Sequence, residues 1–155
     1  AMEGAEIELK DLNAVCLGKG PGSYTGLRIA VMVAKMLGYA RAIPIRTVSS
    51  LLFMTSGYEG KVAALIDARR GHVFSAIYEN GQTLLDEALR SVNELSSMPL
   101  YQQAQTIYVD ENHYEICPRR IIEHATLVSD IHALIPNYLR KTEAEQTYEQ
   151  KSKNE

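Results

Sequence analysis

The apolar residues of this chain come in short blocks, and their spacing changes from block to block. Residues 13–17 form a compact apolar run that stops at glycines, the pattern of a short buried strand. Across residues 26–40 the spacing becomes helical, with Ser23 or Thr25 placed to cap the start. Residues 41–44 interrupt that pattern, and residues 44–48 read as a second strand. Strand, helix and strand in this order predict a right-handed crossover between parallel neighbours. Ser49 or Ser50 then caps a short helix over residues 51–56, which ends at Gly57.

From residue 60 the period changes to two. Residues 62–68 are continuously apolar, residues 69–71 turn the chain, and residues 72–78 alternate. Asn80-Gly81 is a hairpin signal, and residues 83–89 return as a third strand. This predicts an antiparallel meander. Ser91 caps a short helix over 92–97, residues 106–109 read as another strand, and residues 121–133 as a partly helical segment. Residues 141–155 are polar and nearly lack apolar side chains, which predicts a frayed tail. Two α/β lobes follow, with residues 1–48 in the first and 49–140 in the second.

Composition narrows the function classes. The chain has 155 residues, 46% of them apolar and 23% charged, as in globular domains. Its net charge is −3, so no global basic field holds nucleic acid. No leader or long apolar span is evident, which predicts a cytoplasmic protein with no membrane contact. Cys16 and Cys117 lie far apart in sequence and lack metal-type spacing.

The most specific chemistry sits between the first strand and its helix. Gly20, Pro21, Gly22, Ser23, Thr25 and Gly26 make a glycine-rich turn. Such a turn brings backbone close either to an anion or to another piece of protein. It lacks the lysine of a P-loop, and Thr25 stands where the dinucleotide fingerprint needs glycine. The residues alone favour packing.

Gly26, Ala30, Ala34 and Gly38 recur every four positions, a narrow stripe that admits close approach. Leu27, Val31, Met32, Val33, Met36 and Leu37 make most of the remaining surface apolar. A helix so apolar should be buried on two sides: one against its own lobe, the other against a missing helix of this chain, a second copy or a partner, unless the monomer buries all of it. Ala30, Ala34 and Gly38 are expected to give close approach, and Met32, Val33, Met36 and Leu37 apolar burial. Arg28 is expected to orient the helix or meet an acidic group.

No catalytic set emerges. His72, His113, His124 and His132 form no helical metal pair, and there is no nucleophile elbow. Asp67, Arg69 and Arg70 read as a solvated hairpin corner. Asp110 and Glu111 are adjacent and, on a strand, would point to opposite faces.

Four runs in order carry a resemblance: residues 18–30 (GKGPGSYTGLRIA), 44–51 (PIRTVSSL), 65–73 (LIDARRGHV) and 136–140 (PNYLR). Together they resemble the TsaB (YeaZ) family of glycoprotease-like proteins. That resemblance implies an actin-like (ASKHA, ribonuclease H-like) fold of two α/β lobes. It implies a non-catalytic partner of a TsaD-like enzyme and a TsaE-like ATPase in tRNA threonylcarbamoyladenosine biosynthesis. It also implies self-association as a homodimer, tRNA contact only through the assembly, ATP only in the wider complex, and no protease site. The family uses the helix after the glycine loop in both kinds of pairing, which here is the helix over 26–40.

The family's opening strand, hairpin and first helix have no counterpart before Asp11, so an N-terminal block is expected to be missing. Residues 114–131 are short for the family as well. Two rival readings stay open: an ATP-binding phosphotransferase of actin-like fold, and a self-associating module with no enzyme partner.

Overall fold

The computed structural model describes residues 7–139. After a 3-10 turn (Leu9–Asp11), strand β1 (Val15–Gly18) runs into the glycine-rich turn and helix α1 (Tyr24–Arg41). Strand β2 (Ile45–Val48) pairs with β1 in parallel, from Val15↔Ile45 to Gly18↔Val48. Ser23, not Thr25, is the N-cap of α1, its Oγ accepting from Gly26 N at 3.4 Å. The helix therefore begins two residues before the predicted start. Ser49 caps helix α2 (Ser50–Thr55) by accepting from Leu51 N.

The meander forms as the alternation requires. Strands β3 (Lys61–Asp67), β4 (His72–Glu79) and β5 (Gln82–Ser91) are consecutive antiparallel neighbours. Asn80 and Gly81, both at positive φ, make the tight turn between β4 and β5. Ser91 caps helix α3 (Val92–Ser96) through Glu94 N. Helix α4 (Pro99–Gln102) was not predicted, and it delivers strand β6 (Gln105–Tyr108) parallel to β3. The sheet order is β5-β4-β3-β6.

The segment expected to be partly helical over 121–133 resolves differently. Helix α5 (Pro118–His124) starts three residues earlier, with Pro118 in its first turn, and ends at His124. Strand β7 (Thr126–Leu127) follows and pairs antiparallel with β2, completing the sheet β1-β2-β7. Ala125 leaves helical geometry with ψ near 128°, which opens the chain for that strand. Contacts thus cross the expected lobe boundary at residue 48. Val128, Ile131 and Leu134 pack with Leu17, Val31, Ala34 and Ile45 in the first sheet's core. A second cluster joins the two sheets through α2, with Val48, Leu51 and Leu52 against Ala64, Ala76, Tyr78 and Ile121. The tail expected over 141–155 lies outside the described residues.

Helix α1 buries one stripe: Leu27, Val31, Ala34 and Gly38, spaced four, three and four. A Cβ on Gly38 would stand 2.9 Å from Ile131 Cδ1 and 3.2 Å from Ile45 Cγ1. This corrects the expectation for Ala34 and Gly38: the close approach they permit is to their own sheet and to the segment after β7. Ala34→Phe should therefore lower folding stability by about 1–3 kcal/mol through overpacking, whereas Met32→Ala on the outer face should stay within about 0.5 kcal/mol. Urea titration of the two variants checks this.

Candidate functional site

The glycine-rich turn is occupied by protein. Gly20 N donates to Ser50 Oγ at 2.9 Å, and Ser50 N donates back to Gly20 O at 2.8 Å. Asn137 N donates to Lys19 O at 2.7 Å, so the segment after β7 returns across the turn. Gly20 has φ +125°, and a side chain there would run into the Asn137 carbonyl. A Cβ on Gly18 would sit 2.8 Å from Ser50 Oγ. These glycines let three backbone segments meet, the packing alternative of the sequence reading. Gly22 is half-buried beside Leu27, and Gly26 lies in the first turn of α1.

Beside this turn a cavity of about 300 Å³ opens between the two sheets. Its walls include Lys19, Ser49, Tyr78, Asp86, Glu87 and His124. Glu87 accepts from Ser49 Oγ at 2.6 Å and from Asn137 Nδ2 at 2.7 Å, and Tyr78 OH donates to Ser49 Oγ at 3.2 Å. Burial pushes the Tyr78 phenol far above its ordinary range, and the charges of Glu87 and Asp86 push the same way. Two carboxylates facing one lysine make a poor seat for a polyphosphate.

The outer face of α1 is the other notable surface. Ile29 (58%), Met32 (67%), Val33 (44%) and Met36 (60%) stand exposed, at the spacing of one helical face. Leu37 and Ala30 are half-buried at its margin, and Gly26 is exposed. Four apolar side chains in a row on an 18-residue helix form a contiguous patch of the kind that marks an interaction site. At the N-terminal end, Tyr24 stacks on Tyr138 with ring centroids 4.8 Å apart, and the Arg28 guanidinium lies 5.5 Å from the Tyr24 centroid. The sequence reading missed Ile29, although it lies three and four positions before Met32 and Val33. It also missed the Tyr24–Tyr138 stack, which joins residues with no shared periodicity.

Other polar groups have local roles. Arg69 and Arg70 hold positive φ in the β3–β4 turn, and Asp67 Oδ1 accepts from Arg69 N. The His113 ring meets Asp110, whose carboxyl is held below its usual range chiefly by that contact. No group of three metal-ligating side chains occurs among the described residues. None of the described helices is long and apolar enough to cross a membrane.

The family model described as TsaD, tRNA N6-adenosine threonylcarbamoyltransferase, matches residues 1–129. The tRNA threonylcarbamoyladenosine biosynthesis protein TsaB of Bacillus subtilis is 28% identical over 167 residues, covering 88% of this chain and 73% of its own length. TsaB of Escherichia coli is 40% identical over 79 residues, or 48% of this chain and 34% of its own. The chain thus spans about a third of one of these relatives and nearly three quarters of the other.

Among solved structures, YeaZ from Pseudomonas aeruginosa superposes with a TM-score of 0.50 at 32% identity, over 58% of this chain and 46% of that one. An uncharacterized protein with similarity to peptidase YEAZ from Pseudomonas aeruginosa gives 0.63 at 22% identity, over 90% and 79%. The mixed α/β architecture is of the actin-like (ASKHA) class.

If the glycine turn is a packing device, Gly20→Ala should destabilise the fold by roughly 1–3 kcal/mol, the scale of a strained φ. Thermal unfolding would read this directly; an unchanged melting temperature would mean that the turn is looser than described.

Proposed function

Because this chain belongs to the TsaB (YeaZ) family, we propose that it acts as a non-catalytic scaffold in tRNA threonylcarbamoyladenosine biosynthesis. It pairs through the outer face of α1 with a TsaD-like enzyme and holds that enzyme in its active arrangement. A TsaE-like ATPase joins the assembly, tRNA meets it through the partner, and the process is cytoplasmic. The same face also pairs two copies of this chain as a homodimer.

The observation that carries this reading is the exposed row Ile29, Met32, Val33 and Met36 on a helix whose opposite stripe is packed against its own sheet. Its cost in water is removed when a neighbour covers it. Two of the four are methionines, whose unbranched thioethers adapt to more than one partner surface. That suits a face used for both enzyme pairing and self-pairing. Gly26 and Ala30, at one margin, keep that edge low enough for a second helix to come close. Ala34 and Gly38 have no part in it, being turned inward.

Two features support a role outside catalysis. The glycine turn is filled by Asn137 and Ser50, and the neighbouring cavity is lined by Asp86 and Glu87. Neither favours nucleotide phosphates, so the phosphotransferase alternative gains nothing from the geometry.

Reconstituted tRNA threonylcarbamoylation with the TsaD-like and TsaE-like proteins should fall to background when this protein is omitted. Met36→Asp should weaken pairing with the TsaD-like enzyme by at least about tenfold, the cost of burying an unpaired charge, with unfolding unchanged. Full modification without this protein would overturn the scaffold reading.

A further inference from the structure

Building on that reading, we infer that α1 is charged to receive a partner helix edged with carboxylate, one of which closes on Arg28, in preference to a second copy of this chain. The charge of α1 is one-signed. Between Tyr24 and Arg41 it carries Arg28, Lys35 and Arg41 and not one carboxylate. At about 100° per residue, these positions divide the helix surface unevenly. Ile29, Met32, Val33 and Met36 form the open face. Arg28 and Lys35, with Tyr24 and Tyr39, fall along one margin, while Gly26, Ala30 and Leu37 fall along the other.

The cationic margin is incompletely satisfied by its own chain. Lys35 Nζ donates to the His132 carbonyl at 2.8 Å, which satisfies one donor, and it makes no ion pair among the described residues. Desolvation and then the charge of Asp130 raise the Tyr39 phenol, so a carboxylate of this chain already stands near the C-terminal end of this margin. Arg28, at the opposite end, has no carboxylate partner among the described residues. It lies over Tyr24, which is itself stacked on Tyr138. The ring pair holds the guanidinium beside the apolar face and shields one side of it from water. Arginine and tyrosine in such an arrangement anchor interfaces strongly, because the guanidinium can take a carboxylate in a bidentate grip.

A second copy cannot supply that carboxylate from its own α1. In an antiparallel two-fold pair, equivalent margins of the two helices meet, so Arg28 and Lys35 of one copy would face the same margin of the other. A helix with acidic residues along that margin removes the repulsion and fills the grip. The preference for an enzyme partner over self-pairing is therefore written in the sign of the α1 margin, while the apolar row supplies adhesion to either.

The test uses the full chain and the TsaD-like enzyme, with hetero-pairing measured by calorimetry at low and high salt and self-association by sedimentation equilibrium. Arg28→Glu should weaken hetero-pairing about tenfold or more and abolish its weakening by salt, while self-association stays equal or tightens. Arg28→Gln, which keeps a polar side chain in case the reversal disturbs folding, should weaken hetero-pairing less, leaving self-association unchanged or tighter. The inference falls if both variants leave hetero-pairing unchanged although Met36→Asp breaks it, or if they weaken both kinds of pairing alike. A wild-type chain that fails to bind the enzyme at all overturns the scaffold reading itself.

Discussion

The fold depends on a seam where three backbones come together at glycines that have no side chain of their own to hold them apart. The turn after β1, the start of α2 and the segment around Asn137 meet at Gly18 and Gly20. Reciprocal bonds between Gly20 and Ser50, and the bond from Asn137 N to Lys19 O, hold the seam. Because buried backbone groups must find partners, the route of the chain after β7 is fixed there. That route carries Ile131 and Leu134 beneath α1, where they complete its inner packing. Glu87 binds Ser49 and Asn137 together from the second sheet, so both sheets answer to the same joint.

The two faces of α1 follow from this closure. Once the returning segment is in place, Leu27, Val31, Ala34 and Gly38 are spent on the interior, and the opposite row has nothing within the described chain to cover it. The helix is thereby held rigid from beneath while its outer surface stays available. A presented face on a supported element binds with less ordering cost than a loose one. In the scaffold role proposed above, what α1 contributes is presentation, and the chemistry belongs to the enzyme it is proposed to meet.

Much of the fold was legible in the sequence because the signals were local. Ser23, Ser49 and Ser91 cap their helices, Asn80-Gly81 turns its hairpin, and the alternation at 72–78 forms the strand it predicts. What was not legible was long-range. Nothing in the helical-looking stretch near 121–133 announces that Thr126 and Leu127 will be recruited by β2, since a two-residue strand has no period to read. The small stripe on α1 was visible, but a small residue does not say which neighbour comes close. Gly38 meets Ile131, more than ninety positions away in sequence, and only the folded chain shows that Ala34 and Gly38 face inward while Ile29 and Met36 face out.

The exposed row has a chemical liability as well as an adhesive one. Met32 and Met36 are two of the most exposed side chains of the face. Oxidants convert such thioethers to sulfoxides, each of which adds a polar, chiral oxygen to a surface that works by being oily. A partner lying along α1 would shield both side chains, so the unpaired chain is the form more open to that oxidation.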